Sequence, residues 1–134
     1  MLAVVKGIRP TSGEWAARYR KNLLEDGALL KSRFLLIATA ERMYFWRQRD
    51  LTPDEKLPDF TLDGAQELKP YLEGIDISPE GLHGEPLRLT VFQWLLNLAN
   101  TGELRAQGDP SLRRLSESGL LADLKSAHIE PSLL

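Results

Sequence analysis

The stretch Phe34-Leu35-Leu36-Ile37-Ala38, followed by Thr39-Ala40-Glu41-Arg42 and then Met43-Tyr44-Phe45-Trp46, sets the reading of the whole chain. Five consecutive apolar residues without polar alternation describe a strand covered on both faces. The short polar gap suits a hairpin, so Tyr44–Trp46 is expected to return antiparallel to Phe34–Ala38. Upstream, Leu2-Ala3-Val4-Val5, closed by Lys6-Gly7, is a second short β-branched apolar run. Between these runs, Thr11 or Ser12 can cap a helix, Glu14 stands in its first turn, and Trp15, Ala16, Tyr19, Leu23 and Leu24 recur at helical spacing before Gly27 stops it. Strand, helix and strand form a βαβ unit, expected to cross over right-handedly with Leu2–Val5 parallel to Phe34–Ala38.

Past Trp46 the composition changes. Residues 48–59, with Pro53, Pro58 and several charges, read as a surface connection. Asp63 opens a short helix carrying Ala65, Leu68 and Tyr71–Leu72, which Pro70 is expected to kink or end. Residues 74–86 read as loop. The strongest helical pattern runs from Leu87 to about Asn100, with Leu87, Val91, Trp94, Leu95 and Leu98 on one face and Asn100-Thr101-Gly102 as its stop. Asp109-Pro110 is an N-cap followed by a first-turn proline, Ser118-Gly119 breaks the pattern, and a last helical stretch over 120–127 leads to a tail containing Pro131. The expectation is an α/β fold: a small mixed sheet of about three strands with a right-handed βαβ unit, then a mostly helical C-terminal half. Residues 1–134 form one domain, divided into a core over 1–48 and a helical extension over 49–134.

Composition excludes several functions. The chain has 134 residues and no cysteine, which removes disulfide frameworks, thiolate metal sites and cysteine nucleophiles. His83 and His128 are the only histidines, and their separation leaves no paired-histidine zinc motif. No apolar run approaches the 18 or more residues of a membrane span, and the N-terminus lacks a signal-peptide layout, so the expected setting is cytoplasmic, without a membrane partner. There is no Gly-rich phosphate loop and no Gly-x-Ser-x-Gly. The net charge of -2 conceals an asymmetry: residues 1–50 hold ten Lys/Arg against five Asp/Glu, and residues 51–134 hold seven against fourteen. A basic half suits either a nucleic-acid-facing surface or a domain whose two parts attract each other.

The strand ending in Val4-Val5-Lys6, the helix Glu14-Trp15-Ala16-Ala17-Arg18-Tyr19-Arg20-Lys21-Asn22-Leu23-Leu24, the strand Phe34–Thr39 and the segment Glu41–Trp46 together resemble the PD-(D/E)XK (restriction endonuclease-like) superfamily. The likeness is to uncharacterised members of the type common in cyanobacterial genomes, and it covers about residues 2–48. In that superfamily an apolar strand ends in Glu-x-Lys, two acidic side chains hold Mg²⁺ on the scissile phosphate, and the lysine stabilises developing charge or orients the attacking water. The resemblance places Lys6 at the lysine, but the residue two before it is Val4, which has no oxygen to offer a hard cation. The other acid belongs to a strand preceding this one. Only Met1 stands before Leu2, so the resemblance implies the C-terminal half of the scaffold.

Lys6 is therefore the first candidate for a catalytic role, and Glu14 is the only acid on the following helix placed to replace the missing ligand, against its simpler role at the helix dipole. Arg18, Arg20 and Lys21 are candidates for phosphate contact, against the simpler reading of a solvated helix arc, since nothing aromatic is free to stack beside them. Asp63 and Glu67, spaced i,i+4, share a helix face as paired acids or as solvated charges. The resemblance implies a truncated, catalytically inactive relative acting as a binding or assembly module, with no cofactor and no metal ligands. The alternative is an active Mg²⁺-dependent DNA endonuclease. An unpaired edge on Leu2–Val5 would seek a homodimer or a larger partner chain, with a covering helix from within the chain as the other solution; DNA is the further partner the resemblance implies.

Overall fold

The strand Leu2–Val5 (β1) and the strand Phe34–Ala38 (β2) lie side by side and parallel, with Ala3 opposite Leu36 and Val5 opposite Ala38. The helix Gly13–Glu25 (α1) carries the chain between them. In this computed structural model the described residues are 2–7, 11–26, 34–47, 55–73, 84–121 and 130–132. The strand Arg42–Arg47 (β3) returns antiparallel to β2, as the polar gap suggested. One hydroxyl closes that turn: Thr39 Oγ1 donates to the Arg42 carbonyl and accepts from the Arg42 N–H, both at 3.0 Å.

The sheet has five strands rather than about three, in the order β4-β3-β2-β1-β5. Phe60–Asp63 (β4) pairs antiparallel with β3, and Glu130–Ser132 (β5) pairs parallel with β1. Both additions are short edge strands that hydropathy leaves unmarked. In β4 only Leu62 is buried, so the pattern lacks the continuous apolar run of a central strand. In β5 the register depends on backbone pairing, and Pro131 is tolerated at an edge because its missing N–H costs no interior ladder bond. The Leu2–Val5 edge is therefore not open: β5 occupies it along Leu2–Val4, and neither a partner chain nor a helix is needed to cover it.

Successive strand residues are buried on alternate faces of the sheet, which divides the core in two. Leu2, Val4, Leu35, Ile37, Tyr44 and Trp46 face α1, where Ala16 and Leu23 complete one cluster. Ala3, Val5, Phe34, Leu36, Ala38, Met43 and Phe45 point the other way. They meet the helices Gly64–Leu72 (α2), Gly84–Ala106 (α3) and Pro110–Glu117 (α4) through Leu68, Trp94, Leu98, Leu112 and Leu115. Among the described residues the sheet thus lies between one helix and three, the layering that continuous apolar strands require.

A glycine and a proline show how the fold overrides local reading. Asn100-Thr101-Gly102 does not end α3; the helix continues to Ala106. A Cβ on Gly102 would stand 2.9 Å from Leu121 Cδ2 and 3.2 Å from Leu98 Cδ1, so this glycine admits close packing rather than a stop. Pro70 does not end α2 either, which runs on to Leu72. The expected helix over 120–127 is described only at Leu120 and Leu121; its remainder lies outside the described residues.

Gly64, the first residue of α2, donates its N–H to the Glu41 carbonyl at 2.9 Å. A Cβ there would lie 2.9 Å from the Arg42 nitrogen and 3.0 Å from both the Glu41 carbonyl carbon and the Thr39 oxygen, all of them backbone. Gly to Ala inside a helix ordinarily stabilises by up to about 1 kcal/mol. Here the sign reverses: Gly64→Ala is expected to cost about 1–3 kcal/mol through backbone displacement, read as a lower midpoint in urea unfolding at unchanged slope.

Candidate functional site

The carboxyl ends of parallel strands are where open α/β sheets place ligands. At that end of β1 and β2 the Lys6 N–H donates to the Ala38 carbonyl at 2.9 Å, extending the ladder one residue beyond β1. The Lys6 side chain, half-buried, turns toward α1 and lays its ammonium over the Tyr19 ring, 5.2 Å from the centroid. Tyr19 stacks on Trp15 at 5.7 Å between centroids, and Trp15 meets Tyr44 at 6.3 Å. Tyr44 Oη and Thr11 Oγ1 share a hydrogen bond of 2.8 Å, and Thr11 N–H donates to Glu41 Oε1 at 3.2 Å. Of the two candidate caps, Ser12 is the one that accepts from Trp15 N–H, at 3.2 Å.

The ammonium thus sits on the electron-rich face of a ring, a contact worth about 0.5–1 kcal/mol at such exposure. Val4, two residues earlier, is wholly buried under α1 among Leu35, Ile37 and Ala16. Glu14 is exposed in the first turn of α1, where its charge complements the helix dipole. Among the described residues, no group of three or more His, Cys, Asp or Glu side chains is arranged to hold a metal ion. His83 and His128 lie outside the described residues.

The basic triplet on α1 is not one surface. Arg18 is exposed and Lys21 half-buried, but Arg20 is only 1% exposed. Arg20 falls on the stripe Ala16, Leu23 and itself, spaced four and three residues apart on the face turned to the sheet, so it does not present its charge to an external phosphate. That spacing was already in the sequence. Among the aromatic residues, Trp46 and Trp94 are fully buried, whereas Trp15 and Tyr19 are only partly buried beside Lys6.

Asp63 and Glu67 also part company. Asp63 caps α2 by accepting the Gln66 N–H at 3.1 Å. Glu67, with its side chain 15% exposed, receives Arg105 Nη2 at 3.4 Å on each carboxylate oxygen. This ion pair joins α2 to α3 beside a cavity of about 370 Å³ lined by Glu67, Pro70, Tyr71, Asn97 and Arg105. Sequence reading missed the junction because it ended α3 before Arg105, and no local pattern links residues 38 positions apart.

With this geometry established, comparison adds no relative: no protein-family model, no curated protein and no solved structure matches the chain.

Partial burial in this junction raises the Tyr71 hydroxyl above the ordinary 10.0; Arg105 opposes the rise and Glu67 adds to it. A folded-state value above the unfolded one means that the native state holds the proton longer. Below pH 10 the two states carry the same proton, so no stability changes there; as pH rises from about 10 toward the folded value, stability is lost. Urea unfolding from pH 9 upward is expected to show this decline, and Tyr71→Phe to make it shallower.

Proposed function

We propose that this chain is a non-catalytic binding or assembly module on a restriction-endonuclease-like scaffold. The observation that carries this reading is the pair Val4 and Lys6: the position that would need a carboxylate for Mg²⁺ holds a wholly buried valine, and the adjacent ammonium rests on Tyr19. Catalysis of phosphodiester hydrolysis by this superfamily's route needs oxygen ligands to polarise phosphate and lower the pKa of water. An aliphatic side chain packed under α1 supplies neither. Purified protein incubated with supercoiled plasmid and Mg²⁺ or Mn²⁺ is expected to leave the plasmid intact. Cleavage that Lys6→Ala abolishes would establish the alternative, a metal-dependent DNA endonuclease, and overturn this reading.

Assembly into a homodimer finds its support on α3, since β5 already pairs with β1. Leu89, Leu96 and Leu104 stand 59%, 57% and 71% exposed along this helix. Leu89 lies seven residues before Leu96 and Leu104 eight after it, so an antiparallel pair of α3 helices about a two-fold axis near Leu96 sets Leu89 on one helix against Leu104 on the other, twice over. Such self-complementarity is what an isologous contact requires. Light scattering on the eluting protein is expected to give a dimer mass that Leu96→Glu converts to monomer; a monomeric wild type removes the homodimer.

A further inference from the structure

At the end of the sheet opposite Lys6, where β3 finishes and β4 begins, a cleft of about 310 Å³ is lined by Arg47, Lys56, Asp59, Phe60 and Ser118. Among the described residues Asp59 is its one carboxylate, and it is committed to local structure. Asp59 Oδ2 accepts the Arg47 backbone N–H at 2.7 Å, and Oδ1 lies 3.7 Å from Lys56 Nζ. Ser118 is committed as well, donating to the Leu115 carbonyl at 2.7 Å and accepting from Leu120 N–H at 3.3 Å. The Arg47 side chain is exposed and makes no ion pair among the described residues. A second exposed guanidinium, that of Arg114 on α4, is held over the Phe60 ring at 6.0 Å.

Arg47 and Lys56 therefore line the cleft beside a carboxylate that is already engaged twice, Arg114 reaches the Phe60 ring that forms part of its wall, and neither guanidinium makes an ion pair among the described residues. Guanidinium forks match the oxygens of phosphate in bidentate geometry, and an aromatic support reduces the rotamer freedom an arginine loses on binding. The cleft is at the small end of the range for small-molecule sites, room for one phosphorylated group but not for a duplex. We propose that this cleft binds the phosphate of a nucleotide-sized phosphomonoester, with Arg47 and Arg114 as its ligands and Phe60 as the residue that positions Arg114. The phosphate belongs either to a free mononucleotide or to the 5′ end of a single strand. The site is separate from Lys6 and stands or falls independently of the superfamily resemblance.

Calorimetric titration of the full chain at low ionic strength tests it, using inorganic phosphate, adenosine monophosphate, and an oligothymidine with and without a 5′-phosphate. Saturable binding of a phosphate-bearing probe is expected, weakened about tenfold by Arg47→Gln and by Arg114→Gln, and unchanged by Lys6→Gln or Arg18→Gln. Phe60→Leu, which keeps an apolar side chain but removes the ring, is expected to weaken binding less than Arg114→Gln does. Tighter binding of the mononucleotide identifies a free ligand, and tighter binding of the phosphorylated strand identifies a strand end. Both arginines are exposed, so matched thermal unfolding of the variants keeps the comparison on binding. Absence of saturable binding, equal affinity for the unphosphorylated oligothymidine, or affinity that survives both arginine substitutions overturns the proposal.

Discussion

The whole arrangement depends on β2 burying both of its faces. Its five residues are between 0% and 5% exposed, so each face must be covered by apolar side chains from elsewhere. Leu35 and Ile37 bring α1 against one side; Phe34, Leu36 and Ala38 bring α2, α3 and α4 against the other. A fully buried leucine contributes about 1.5–3 kcal/mol relative to exposure, so a run of such residues outweighs the preferences of the shorter elements around it. β1 and β3 flank β2 with the same alternation, and the two edge strands complete backbone pairing at the rims.

Burial of the sheet's centre drives the chemistry-bearing groups to its ends. At one end Lys6 emerges from β1 and meets an aromatic series of Tyr19, Trp15 and Tyr44 rather than carboxylates. At the other, Arg47 emerges from β3 beside Phe60 and Lys56. The ends differ in how their charge is balanced: a ring face meets the lysine, whereas Asp59, the one carboxylate lining the second cleft among the described residues, is tied to backbone and to a lysine. Between α2 and α3, the Glu67–Arg105 pair ties the helical layer together at a third polar point.

Much of the site region was legible from particular residues. Thr39 and Arg42 fell in the predicted turn, Asp63 opened α2, and Pro110 opened α4, because caps and hairpins are written in neighbouring residues. Arg20 belongs to the buried stripe with Ala16 and Leu23, a spacing visible in the sequence, although its charge by itself suggests solvent. Gly102 was read as a stop because what makes it a contact, Leu121, belongs to a different turn of the chain. Arg105 was left outside its helix for the same reason.

Residue order alone establishes which runs are buried on both faces, that β1 and β2 are joined through a helix, and that the 134 residues include no cysteine. These follow from side-chain hydropathy and composition, which are properties of short stretches. It takes the folded chain to bring residues 130–132 beside β1, Glu67 to Arg105, and Arg114 over the Phe60 ring that lines one cleft with Arg47. Backbone ladder bonds and long-range ion pairs carry no hydropathy signature, so they become visible only when the fold brings distant segments together.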